Sequence, residues 1–238
     1  LLSNLITCPN CKFKFDPKGN KSEEEIKKDS ISKEKEKSIK EKLVKEINED
    51  IKELYEKINA ELWKQFENGI IDKKTVLYTR FVKLFQKLDI QLDGIAFEDD
   101  YQNELGKGAF LLPHTRDVLE HLSKYYDLYI VTNGVSKTQY NRLYKSHIDK
   151  YFINIFVSED IGYQKPMKEY FDYCFARISD FQLKKTLIIG DSLSSDILGG
   201  INAGIDTCWI HTAHTNHTTD IIPTYSIRDL RELYDILK

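Results

Sequence analysis

The chain has 238 residues, with 35 lysines and arginines against 38 aspartates and glutamates, for a formal net charge of -3. That length is ample for a buried core and fits one or two domains, while the near balance of charge leaves no basic surplus to neutralise nucleic-acid phosphates. No apolar run approaches the roughly 18 residues needed to span a bilayer, and the opening LLSNLITC is too short and lacks the basic start of a secretory signal.

Cys8-Pro-Asn-Cys11 and a polar turn, Asp16-Pro-Lys-Gly-Asn20, lie in the first twenty residues. The pair of thiols is half a zinc site, and closure needs a second pair at suitable spacing; Cys174 and Cys208 are far off in sequence. Four cysteines in a chain this long point to a reducing compartment, and a cytoplasmic protein is expected. The excess charge is local, because Lys21 to Lys57 holds 23 charges in 37 residues. Within that stretch Ile39, Leu43, Ile47, Ile51, Leu54, Ile58 and Leu62 step by three and four, the stripe of a long helix whose other face is solvated. Asn68-Gly69 is the expected stop, and Asp72 the cap of a second amphipathic helix through Leu88. A third, short helix is expected over Phe97 to Leu105.

From Gly106 the texture changes. Leu128 to Thr132, Tyr151 to Val157, Thr186 to Gly190 and Asp206 to Ile210 read as buried strands. Helical patterns alternate with them at Thr115 to Tyr125, Lys137 to Lys145, Lys168 to Ile178 and Ser194 to Ala203. This alternation predicts an α/β fold with a parallel sheet covered on both faces. Ligands of such sheets bind at the carboxyl ends of the strands.

Three polar groups of residues fall at those ends. Thr132-Asn133-Gly134 can form a small anion cradle from a hydroxyl, an amide and a glycine N–H, or be a plain turn. Lys165-Pro166 can present an ammonium to a phosphate from a stiffened loop, or be an exposed loop lysine. In Gly190-Asp191-Ser-Leu-Ser-Ser-Asp196, two carboxylates near a strand tip suit a hard cation such as Mg2+; Asp196 can equally be a charge at a helix start. The histidines of His211-Thr-Ala-His214-Thr-Asn-His217 follow the last strand and can line a substrate-facing loop or bind a metal.

In this order, the three groups make the chain resemble the haloacid dehalogenase (HAD) superfamily of phosphohydrolases, with Thr132 similar to its motif II, Lys165 to motif III, and Asp191 with Asp196 to motif IV. YEKINAELWKQFENG (Tyr55 to Gly69) and SDILGGINAGIDTCWI (Ser195 to Ile210) resemble the pyrimidine 5'-nucleotidase subfamily. The resemblance implies a HAD-like Rossmannoid parallel sheet with a helical, C1-type cap inserted before the motif II strand. The expected division is an atypical charged segment over 1–49, a cap over 50–105 and the α/β core over 106–238. It further implies Mg2+-dependent hydrolysis of nucleoside, chiefly pyrimidine, 5'-monophosphates through an aspartyl-phosphate, in a monomer or homodimer. On that pattern Thr132, Asn133 and Gly134 hold the phosphoryl oxygens, Lys165 bridges phosphate and nucleophile, Asp191 reaches the metal, and Asp196 supports it as a catalytic and metal-site residue.

The family's motif I, a buried strand ending Asp-x-Asp-x-Thr, is not found upstream of the expected cap. Asp16 is the weak candidate for its nucleophile, Lys18 stands where the second aspartate belongs, and Lys12 and Lys14 would charge a doubly buried strand. Leu1 to Thr7 is the other candidate for the missing strand. The chain is therefore expected to begin with a segment foreign to the family, from a truncated gene, a fusion or a different reading frame. The alternative function is a catalytically inactive relative that binds phosphate ligands or partners.

Overall fold

A computed structural model describes residues 30–211 and 220–237, with side chains from 48 onward. The expectations attached to Leu1 to Thr7, Cys8, Cys11, Asp16, His214 and His217 lie outside the described residues. The chain divides into two compact units. Among the described residues, one unit contains 67–70 and everything from Asp99 on, and the other contains the residues up to Phe66 together with 71–98.

The second unit is helical. Helix α1 (Ser30–Glu67) spans the predicted stripe, of which Ile58 and Leu62 are buried, as is Phe66 one turn beyond it. It stops before Gly69, whose φ of 70° is a left-handed conformation that glycine adopts without strain. Asp72 caps α2 (Lys73–Lys87), accepting a 2.7 Å hydrogen bond from the Thr75 N–H and so satisfying an orphan donor of the first turn. Helix α3 (Gly94–Lys107) begins three residues ahead of the predicted third helix. Arg80 of α2 and Glu98 of α3 form a buried fork, with Nε and Nη2 each 2.6 Å from a carboxylate oxygen, and Arg80 Nη1 also donates to Asn59 Oδ1. Two parallel charge-assisted bonds are the geometry in which a buried ion pair best offsets its desolvation.

The first unit is α/β. Its strands are β1 (Tyr129–Thr132), β2 (Asn154–Val157), β3 (Leu187–Gly190), β4 (Asp206–Ile210) and β5 (Tyr225–Ile227). Among the described residues the pairings are all parallel, in a two-stranded sheet β1-β2 and a three-stranded sheet β3-β4-β5. The period of two along each strand sorts its side chains between two cores. Ile130 and Ile189 join α4 (Thr115–Leu122) and the C-terminal residues Leu230 and Leu233 in one; Tyr129, Val131 and Ile188 join α7 (Lys168–Phe175) in the other. The strands are thus covered on both faces, as predicted, with α5 (Ser136–Ser146) and α8 (Leu198–Ala203) completing the helical layers, but among the described residues they form two parallel sheets where one was expected.

Several predicted boundaries shift. Strand β2 begins at Asn154 because Asp149–Tyr151 closes a 3-10 turn first. The predicted helix Ser194 to Ala203 is divided: Leu193–Ile197 forms a π-helical turn and only then does α8 begin. The short helix α6 (Ser158–Ile161), strand β5 and helix α9 (Leu233–Ile236) were not predicted. Each is shorter than the window over which periodicity can be read.

Candidate active site

The carboxyl ends of β1 and β3 and the loop after α6 gather the three predicted motifs in one network. Lys165 is 1% exposed, and its Nζ lies 2.5 Å from Asp196 Oδ1 and 3.1 Å from the Val131 carbonyl oxygen. Asn133 ties the same loop down from the other side. Its Nδ2 donates to the Lys165 carbonyl at 2.9 Å, and its Oδ1 accepts from the Lys165 N–H at 3.0 Å. Lys165 is therefore neither exposed nor loosely held, and the exposed-loop alternative for it falls.

Thr132 is buried at the tip of β1, and its Oγ1 accepts from the Gly134 N–H at 3.1 Å. This hydrogen bond closes a small local turn and leaves the hydroxyl proton of Thr132 able to donate elsewhere. Asn133 is placed differently from its expected role beside a phosphate. Its amide is engaged at both ends with the main chain of Lys165, so it joins two site loops.

On the β3 side, Ser192 caps the π-helical turn by accepting from the Ser195 N–H, and the turn carries Asp196 inward to full burial. Asp196 Oδ2 accepts from the Ser192 N–H at 3.2 Å, while Oδ1 meets Lys165. Gly190 ends β3 directly beneath this carboxylate, and a Cβ there would collide with the Asp196 side chain. Asp191, the next residue, is exposed, and the Trp209 indole N–H donates to its carbonyl oxygen at 3.0 Å. Trp209 in turn stacks on His211, with ring centroids 3.9 Å apart.

Among the described residues no group of three His, Cys, Asp or Glu side chains is gathered to hold a metal. Asp196 accepts from Lys165 at Oδ1 and from the Ser192 N–H at Oδ2, so it stands as the counter-charge of Lys165. Mg2+ commonly takes one or two carboxylates, with waters and substrate phosphates completing the shell. Among the described residues, the exposed carboxylate of Asp191 at the end of β3 suits that requirement.

Two residues at this site carry no signal in the sequence. Glu67, at the end of α1, belongs to the same unit and hydrogen-bonds Ser194 and Ser195; burial pushes its carboxyl above the usual range, and the charge of Asp196 adds to the effect. Tyr170 of α7 has its ring in the core and its hydroxyl between the ends of β1 and β2. Each sits at a position that helix periodicity marks only as inward or outward, so its polar contact is invisible until the loops are placed.

Comparison with known proteins identifies the family. A family model described as haloacid dehalogenase-like hydrolase matches residues 12–210, a span that takes in Asp16 as well as the three placed motifs. The HAD-hydrolase YfnB of Bacillus subtilis (strain 168) is 48% identical over 191 residues, 80% of this chain and 81% of that one. The pyrimidine 5'-nucleotidase PynA of Streptococcus pneumoniae is 38% identical over 187 residues, covering 78% of this chain and 79% of its own length. The pyrimidine 5'-nucleotidase YjjG of Escherichia coli (strain K12) is 31% identical over 183 residues, covering 77% and 80%. A crystal structure of YfnB bound to magnesium superposes with a TM-score of 0.75 at 49% identity, covering 79% of this chain and 83% of that one. The chain belongs to the haloacid dehalogenase-like hydrolase family.

Proposed function

We propose that this chain is a phosphate-monoester hydrolase of the 5'-nucleotidase type, acting on pyrimidine nucleoside 5'-monophosphates with Mg2+. The observation that carries the reading is the placement of Lys165: a buried ammonium fixed on the Val131 carbonyl, one residue before Thr132, at the carboxyl end of a parallel strand. Such a pair suits a phosphoryl group, with a point charge and a donor aimed at oxygens that gain charge during transfer. The choice of substrate rests on the relatives PynA and YjjG, and the choice of metal on the family and on YfnB.

In the reaction, the phosphoryl group passes from the ester oxygen of the nucleotide to a carboxylate, and the nucleoside leaves with a proton. Water then cleaves the aspartyl-phosphate, returning the carboxylate and inorganic phosphate. Asp16 is the candidate nucleophile. Thr132 and Lys165 bind the transferring oxygens, Asp196 holds Lys165 in place, and Asp191 would hold the Mg2+, which supplies charge neutralisation when bound. Cys174 and Cys208 are free thiols, in keeping with a cytoplasmic protein that takes small-molecule substrates.

A second reading has its own observation. The ammonium of Lys165 is already neutralised by Asp196. A relative of that kind would bind phosphate ligands without turning them over. Release of phosphate from uridine and thymidine 5'-monophosphates, with and without Mg2+, separates the two. Mg2+-dependent turnover lost in Asp191→Asn supports the hydrolase. Phosphate binding without turnover supports the inactive relative.

A further inference from the structure

The peptide joining Val131 to Thr132 is held from both sides. Its carbonyl oxygen accepts from Lys165 Nζ at 3.1 Å, and its N–H donates to the Tyr170 hydroxyl oxygen at 3.1 Å. The same hydroxyl donates its proton to the Phe156 carbonyl of β2 at 2.6 Å. Carbonyl and N–H of a trans peptide point in opposite directions, so Tyr170 and Lys165 clamp one plane between them. The bonds form a continuous line: the Phe156 carbonyl, the Tyr170 hydroxyl, the Val131–Thr132 peptide, Lys165 Nζ and the Asp196 carboxylate.

Nothing in core packing requires a hydroxyl here. Tyr170 is fully buried, its ring packs edge-on against Phe171 in the α7 core, and an apolar ring would fill the same volume. Burying a phenol oxygen is costly unless it is bonded, and this one spends both its donor and an acceptor site on main-chain atoms at the strand ends. By donating to Phe156, the oxygen becomes a better acceptor for the Thr132 N–H, and the polarised peptide presents a better acceptor to Lys165.

We infer that Tyr170 is a positioning residue for phosphate binding: its hydroxyl sets the Val131–Thr132 peptide and thereby aims the Thr132 hydroxyl and the Lys165 ammonium at one phosphate group. The inference rests on the proposed function, since it assigns Thr132 and Lys165 to phosphate.

The test compares Tyr170→Phe with Tyr129→Phe, a substitution in the same apolar core at a residue not in the line. Three quantities are read on the full chain: affinity for inorganic phosphate by calorimetry, hydrogen exchange of the Thr132 amide by NMR, and thermal stability. Tyr170→Phe should weaken phosphate binding about tenfold and speed Thr132 amide exchange, with neither change in Tyr129→Phe at comparable loss of stability. Unchanged phosphate affinity in Tyr170→Phe, with the wild-type chain binding phosphate, overturns the inference and leaves the proposed function standing. No phosphate binding by the wild-type chain overturns both. Should Tyr170→Phe not fold, the wild-type chain decides: slower Thr132 amide exchange on adding phosphate supports the clamp, and exchange indifferent to bound phosphate overturns it.

Discussion

Lys165 and Asp196 close an ion pair at 2.5 Å with both side chains almost wholly shielded from water; Lys165 also bonds the Val131 carbonyl of β1, and Asp196 the Ser192 N–H after β3. They are 31 residues apart and come from different loops, so the pair fastens the end of β1 to the end of β3. Removing one partner strands the other as an uncompensated buried charge. Lys165→Met or Asp196→Asn should each cost about 3–5 kcal/mol, and Lys165→Met combined with Asp196→Leu much less than the sum. Denaturant midpoints of the three variants check this.

Gly190 should not tolerate a side chain. Its Cβ would occupy the space of the Asp196 carboxylate, which is pinned by Lys165 and Ser192 and has nowhere to move. Gly190→Ala is expected to destabilise by about 1–3 kcal/mol and to abolish phosphate binding by displacing Asp196. Denaturation and phosphate calorimetry on the same sample read both effects.

In the helical unit the Arg80–Glu98 fork makes a separable prediction. Arg80→Met and Glu98→Gln should each lower stability by about 3–5 kcal/mol, with a double-mutant cycle returning a coupling of about 1–3 kcal/mol. Phosphate affinity per folded molecule should stay the same, since neither residue belongs to the phosphate network.

Glu67 supplies a pH dependence with a definite sign. Burial raises its carboxyl in the folded chain, so the folded state holds this proton to higher pH than the unfolded state does. The resulting penalty is missing below the unfolded value near 4.5, grows as pH rises from there to the folded value, and is complete above it. Glu67→Gln should therefore be more stable than wild type at neutral pH, with the gap closing as the solution is acidified. Urea melts of the two proteins across pH 4 to 8 would reveal a constant gap if the ionisation of Glu67 were irrelevant.

Cys174 and Cys208 are pushed up to about 12 by burial, so both remain thiols at neutral pH. Reactivity needs thiolate and access, and both are lacking. In a Cys8→Ser/Cys11→Ser variant, alkylation at pH 8 should modify Cys174 and Cys208 only after denaturant is added, as mass spectrometry of their peptides would record.

The sequence by itself determined the helices of the charged front half, the alternation of strands and helices, and the position of Thr132 and Asp191 at the ends of β1 and β3. Periodicity and caps are local properties: Asp72 caps α2 through a residue three positions away, and the stripe from Ile39 to Leu62 needs no distant partner to be read. The motif spacing survives in the chain for the same reason.

What only the tertiary structure decided is how these residues divide the work. Asp191 and Asp196 are five residues apart and look equivalent as ligands, but the π-helical turn buries one against Lys165 and leaves the other exposed. Asn133 looks like part of an anion cradle until its amide is seen to be used by the Lys165 main chain, 32 residues away. Tyr170 reads as one more aromatic on a core-facing helix, and its hydroxyl finds Thr132 across 38 residues. A hydrogen bond joins atoms in space, and a linear pattern holds no record of which loops fold together to meet.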